Sequence, residues 1–271
     1  MMEKINFSLP EKGQEKNQKE KKLEQLNDFL KLLSENFKKE NLPVKENCRI
    51  DSEKFIGIYS QTEIKKDKEE VLKKEKEWFQ EENEIKIEEK RRKKEGEQLE
   101  MVKTAVLNKF LKERYCILRA SLYDDIFNKV DNVICDKKTG EVICALDEVE
   151  DINGEKFKEK KEKILKKNQK GVELKYGLEI KNNQVFLKKI SNLPIFYLAL
   201  PPQYLEKCLL NFEPDLEKQT ECEKMFFHFF ITLIEKETKE IFRQKIEIEQ
   251  KTLEKIENLN RNLKKFKNKD E

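Results

Sequence analysis

The sequence predicts an α/β protein whose mixed, mostly antiparallel sheet of four to six strands is built in αβββαβ order and flanked by long charged helical arms. Two runs rich in β-branched residues, VDNVICD and EVICALDEV, are joined by the turn Lys137-Lys138-Thr139-Gly140, a hairpin with glycine in its last place. A continuous apolar run, PIFYLALPP, reads as a buried strand stopped by Pro201-Pro202. Charged residues make up 42% of the 271 and apolar residues 37%, too few for one conventional core along the whole length. A compact centre with solvated helices around it follows.

Residues 1–62 form an N-terminal helical, partly disordered segment. In it Leu23, Leu26, Phe29, Leu30, Leu33 and Phe37 recur at spacings of three and four, an amphipathic helix ended by Pro43. A short extended piece is expected around Phe55–Tyr59, with no chemistry attached. Residues 63–95 read as one long charged helix. Ser60 and Glu63 suit a capping box at its start. Ile64, Val71, Trp78 and Ile85 recur every seven residues, but positions 68, 75 and 82 are charged, so no full heptad seam exists.

Residues 96–213 hold the α/β core: helix 97–113, strands 115–121, 131–136 and 141–147, helix 155–169, a hairpin over 173–188 turning at Asn182-Asn183, strand 194–200 and helix 203–211. Residues 214–271 read as one long C-terminal helix. Phe227, Ile234, Ile241 and Ile248 are spaced by seven before the phase slips to Leu253, Ile256 and Leu263. The arms suggest a homodimer or a partner helix.

Net charge is only +3, so bulk charge does not require nucleic acid. The six cysteines include no CxxC pair and His228 is the single histidine, which excludes a Cys/His zinc site. No run approaches the ~18 apolar residues of a membrane span, and the first ten residues lack a signal-peptide core. A cytoplasmic protein with reduced thiols and no membrane partner is expected.

The chemistry lies at the open ends of the 131–149 hairpin. If residue 136 pairs near 141, Asp131 lies opposite about Leu146, and the Asp131 and Asp147 carboxylates come within one ladder step. A one-residue register shift would exchange Asp147 for Glu148, which stays open. An aspartate at a strand end also serves as a turn or capping residue. Arg119 could pair with one of these carboxylates, and Asp124-Asp125 read as a turn start. Two carboxylates across a hairpin suit a hard divalent cation bound through oxygen.

This order, with LRASLYDDIFNKVDNVICDKKTGEVICALDEVED and IFYLALP, resembles the core of the PD-(D/E)XK nuclease superfamily over roughly 97–211. Similar blocks also resemble an uncharacterised protein family of candidate-phylum bacteria. The nuclease resemblance implies a restriction-endonuclease-like core and a Mg²⁺ (or Mn²⁺) cofactor held by Asp131 and Asp147. Glu113, at the end of the preceding helix, would be an extra ligand, with Glu148 as the alternative in the second position. The implied activity is hydrolysis of nucleic-acid phosphodiesters, DNA in preference to RNA. Val149 stands where the motif has lysine. The resemblance allows that lysine to come from the Lys-rich helix 155–169, where Lys156, Lys160 and Lys163 share a face and Lys160 is the choice for the catalytic role. That helix also reads as a plain solvated face. The alternative function is a non-catalytic interaction or scaffold protein with a degenerate nuclease-like core.

Overall fold

The structure, a computed structural model, describes residues 12–149, 155–182, 184–243 and 247–267. Helix α1 (Lys12–Lys39) buries Leu26, Phe29, Leu30, Leu33 and Phe37, the stripe its spacing predicts. A loop and a 3₁₀ turn (Ser52–Phe55) lead to α2 (Gln61–Phe79), which opens with the Ser60–Glu63 capping box. The single helix expected over 63–95 is instead two. Gln80 takes a left-handed conformation (φ 48°), and Asn83 accepts hydrogen bonds from the Ile85 and Lys86 amides to start α3 (Glu84–Arg92). With one apolar residue per heptad, little packing opposes this local stop-and-cap chemistry. Arg91 of α3 folds back onto Glu75 of α2 at 2.7 Å.

Helix α4 (Glu95–Leu111) follows, with Gly96 inside its first turn rather than ending the tract before it. It is buried almost all round, Glu97, Glu100, Lys103 and Lys109 included. Strand β1 (Tyr115–Arg119), a π-helical turn (Asp124–Asn128), β2 (Asn132–Asp136) and β3 (Val142–Val149) come next. Helix α5 (Glu155–Lys170), the hairpin β4 (Val172–Lys181) and β5 (Gln184–Leu193), and β6 (Ile195–Ala199) complete the sheet region. Helices α6 (Pro202–Leu210), α7 (Glu221–Arg243) and α8 (Gln250–Lys267) close the chain.

The fold is mixed α/β with a four-stranded mixed sheet in the order β1-β2-β3-β6. The first three strands are an antiparallel meander, and β6 runs parallel to β3, pairing Asp147 with Tyr197. The hairpin β4–β5 forms a separate two-stranded sheet. Polar contacts at both of its ends tie it to the rest of the chain. Ile180 donates its amide to the Gly140 carbonyl at 2.7 Å, where a Cβ on Gly140 would fall 1.4 Å from the Ile180 oxygen. The buried Asp124 carboxylate accepts from the Lys175 and Tyr176 amides at 2.7 and 3.1 Å, and from the Ser121 hydroxyl and Asn128 amide.

One hydrophobic core runs from Leu26 of α1 to Leu259 of α8. Of the helices expected as arms, α7 and α8 pack onto sheet strands and α1 packs onto α4 and α6. In α7 the spaced Phe227, Ile234 and Ile241 are joined by Phe226, Phe230 and Ile231, a stripe wide enough to cover a sheet edge rather than a narrow zipper seam. The expected long C-terminal helix is divided near its phase slip, with 244–246 outside the described residues.

At the base of α7, Lys109 and Glu223 form a fully buried ion pair at 2.6 Å. Glu223 also accepts from the Thr220 amide at 2.8 Å, while the Thr220 hydroxyl accepts from the Glu223 amide, so this carboxylate is both counter-ion and helix cap. The Lys109 ammonium also donates to the Glu213 carbonyl and lies 5.5 Å and 4.7 Å from the ring centroids of Phe29 and Phe212.

Candidate functional site

The site forms where β2 begins and β3 ends. The Asp131 amide donates to the Leu146 carbonyl at 2.9 Å, and the next residue, Asn132, pairs with Leu146. Asp131 and Asp147 are thus no more than one ladder step apart. Strand alternation sends Asp147, with Ala145, towards α4, whereas Cys144 faces the α8 side near Lys255.

Polar bonds lock α4 onto this sheet in one register. The Asn108 side chain donates to the Ile117 carbonyl at 2.8 Å and accepts from its amide at 3.0 Å. One turn earlier, the Thr104 hydroxyl accepts from Asn132 at 2.8 Å. Continuing towards the helix N-terminus, Lys103 and Glu100 arrive at the strand ends. Lys103 is buried in the field of Asp131, Glu100 and Asp147.

A third element enters from the N-terminal segment. Residues 48–50 run along the open edge of β1, with Ile50 donating to the Arg119 carbonyl at 2.8 Å and Arg119 to the Cys48 carbonyl at 2.9 Å. That places Arg49 in the cluster. Its guanidinium meets Asp125 at 2.9 Å, Glu100 at 3.0 Å and Glu97 at 3.4 Å. Arg119 meets Glu97 and Glu100, each at 2.6 Å.

Five carboxylates (Glu97, Glu100, Asp125, Asp131, Asp147) face three cations (Arg49, Lys103, Arg119), a formal excess of two negative charges. The titration behaviour records that excess. Burial, then the Asp147, Glu100 and Asp125 charges, lift the Asp131 carboxyl well above its usual range. Burial and Glu100 push Asp125 up to about 7 against the pull of Arg49. Burial brings the Lys103 ammonium down to about 8 although Asp131, Glu100 and Asp147 oppose it. Burial would raise Glu97 too, but Arg119 and Arg49 outweigh it and hold the group at about 2.

Glu100, Asp125 and Asp131 each present a carboxylate oxygen, all within 4.8 Å of one another. An all-oxygen set, two of whose members resist ionising because the fully ionised cluster would carry two surplus negative charges, fits a hard divalent cation. Binding requires those protons to leave. A raised folded pKa contributes stability at low pH that is lost as pH rises through about 7 for Asp125. Mg²⁺ is therefore expected to raise the unfolding temperature little near about pH 5.5 and by several degrees near about pH 8. Thermal unfolding with and without millimolar Mg²⁺ checks this. A shift independent of pH would show that the carboxylates do not bind the ion.

The expected site residues divide among these positions. Asp131 and Asp147 come together. Glu113 is exposed at the other end of α4, beside Tyr115, which pairs with Asp136 at the turn end of the hairpin. Two α4 carboxylates, Glu97 and Glu100, reach the cluster, and Glu100 is the one whose oxygen lies near those of Asp125 and Asp131. The side chains of Glu148 and Lys160 lie outside the described residues, and Lys163 is exposed beside Glu159 at 3.9 Å. Glu97, Glu100, Lys103 and Arg49 were not expected there. Glu100 and Lys103 carried a signal, since charges inside the otherwise apolar stretch Leu99–Leu107 must be buried and paired; Glu97 lies outside that stretch. Arg49 carried none.

A cleft of about 640 Å³ opens between α2, α3 and the 45–52 loop, with Arg49, Glu97 and Arg119 among its lining residues. Among the described residues none from 173–188 lines it. Seven basic and seven acidic side chains do, so it is charge-balanced rather than basic. No described helix is long and apolar enough to cross a membrane. Compared with protein-family models, curated proteins and solved structures, the chain matches none.

Proposed function

We propose that this protein is a metal-dependent hydrolase of nucleic-acid phosphodiesters with a restriction-endonuclease-like core. The observation that carries the reading is the convergence of Asp131 and Asp147, from adjacent strand ends, with Glu100 and the buried Lys103 from the helix before them. The lysine missing at Val149 then has its counterpart in Lys103 rather than in α5. Glu100, Asp125 and Asp131 would hold Mg²⁺ or Mn²⁺, with Asp147 beside them. Such an ion lowers the pKa of a bound water and stabilises charge on the phosphate. Lys103, with its ammonium near pKa 8, holds or releases a proton near neutral pH and offsets negative charge next to the carboxylates. Arg49 and Arg119 both donate to Glu100 Oε2 and hold that carboxylate in place.

Incubation with single- and double-stranded DNA and RNA in Mg²⁺ or Mn²⁺ tests the reading. Wild type should cleave. Asp147→Ala and Lys103→Met should each lose about 10²–10³-fold or more, with Lys103→Met still stabilised by Mg²⁺. Activity that survives in Asp147→Ala would sink the assigned site. The charge-balanced cleft favours the second reading, a non-catalytic interaction or scaffold protein, in which no substrate or metal yields cleavage.

A further inference from the structure

Exposed aromatic side chains gather at one rim of the cleft. The outer end of α2 carries Trp78, 51% exposed, one turn beyond the cleft-lining Glu75. The π-helical turn carries Phe127, 37% exposed, whose ring centroid is 4.9 Å from that of Tyr123, itself a cleft-lining residue. Lys129 connects the two elements. It caps the turn in a left-handed conformation, donates its amide to the Asp124 carbonyl, and sets its ammonium 5.7 Å from the Trp78 ring centroid. A second cation, Lys94, lies 4.3 Å from the ring centroid of Phe79, next to Trp78.

Single exposed apolar side chains are ordinary on a protein surface. Here, however, Trp78, Tyr123 and Phe127 are linked through Lys129 and the turn that carries Asp125. That turn directs Asp125 inwards to Arg49 and leaves Phe127 at the surface two residues later. Flat rings with lysines beside them suit unpaired nucleobases joined by phosphates, since every base offers a π face and every linkage a negative charge. A duplex hides its base faces in its own stack.

We infer that the Trp78–Tyr123–Phe127 rim, with Lys129 and Lys94, is a stacking platform for unpaired nucleobases, so that the substrate enters as single-stranded nucleic acid. The inference rests on the nuclease reading for its substrate, but binding can be measured without catalysis. Glu100, Asp125 and Asp131 of the neighbouring cluster would hold a divalent ion, whose charge would offset the formal excess of two negative charges there.

Trp78 is the only tryptophan, so its emission reports on the platform directly. Short oligo(dT) titrated in Ca²⁺ or in EDTA should quench it saturably, more strongly at low salt, while a blunt duplex of the same length should not. Phe127→Ala should weaken binding of labelled oligo(dT), read by anisotropy, about 5- to 100-fold. Asp147→Ala should keep the quench and lose cleavage. Quenching without cleavage in any metal would support the platform and overturn the nuclease reading. Cleavage of single strands with Trp78 unresponsive would overturn the platform and leave the nuclease. Equal quenching by duplex would also overturn it, as would emission that shifts only with protein concentration, the mark of a protein interface.

Discussion

Asp131→Asn is expected to abolish Mg²⁺-dependent cleavage while raising the unfolding temperature of the metal-free protein. Burial and the neighbouring Asp147, Glu100 and Asp125 charges all disfavour the ionised Asp131 carboxylate. A neutral side chain of the same shape removes that cost and also removes an oxygen ligand, so activity should fall by on the order of 10³-fold. A gain of about 1 kcal/mol would move the midpoint by roughly 2–4 °C. The sign depends on pH. Because the folded pKa is raised, wild type carries the proton at low pH and resembles the variant there. The stability difference should be widest above neutrality and vanish as pH falls towards about 4. Calorimetry of both proteins across pH, beside the cleavage assay, reads both effects. A variant that is active and less stable at every pH would show Asp131 to be a structural residue.

Glu223→Ala is expected to destabilise the fold by about 3–5 kcal/mol, as removal of one partner from a fully buried ion pair does. The Lys109 ammonium would keep the Glu213 carbonyl and the nearby Phe29 and Phe212 rings but lose its counter-ion. The Thr220 amide would lose its cap in the same stroke, at a cost of about 1 kcal/mol. A double variant, Lys109→Met with Glu223→Met, should recover much of the loss, because it leaves no buried charge alone. Urea denaturation at an unchanged slope measures both. A single variant within about 1 kcal/mol of wild type would mean that water reaches the pair and screens it.

Much of the core was legible in advance. The order of helix, three strands, helix, hairpin, strand and helix follows from β-branched runs, the Gly140 turn and the apolar stretch before Pro201, all of them local signals. Asp131 and Asp147 were legible as acidic residues at two strand ends. Glu113 was chosen because it adjoins the sheet in sequence, but direction along the chain decides the matter. The end of α4 that feeds β1 lies by Asp136, so a carboxylate able to reach Asp131 must sit earlier in the helix, where Glu100 is. Lysine was sought in α5, where lysines are plentiful and where the Lys160 side chain lies outside the described residues; among the described residues Lys103, enclosed among apolar neighbours in α4, stands in the cluster. Arg49 arrives through a backbone bridge across seventy residues of chain, a pairing that no local pattern encodes. The arms were misjudged through composition: exposed lysine and glutamate outnumbered the apolar stripes that hold α1, α7 and α8 on the core.

The bridge from Cys48–Ile50 to β1 changes where this protein can be divided. A fragment trimmed to 96–213 would retain both strand-end aspartates, Glu100 and Lys103, yet it would be missing one guanidinium, and its formal imbalance would grow from two negative charges to three. The segment that carries Arg49 is therefore a component of the site's electrical balance. A truncation that removes the chain up to α2 would act on the site from a distance along the chain, through the loss of Arg49.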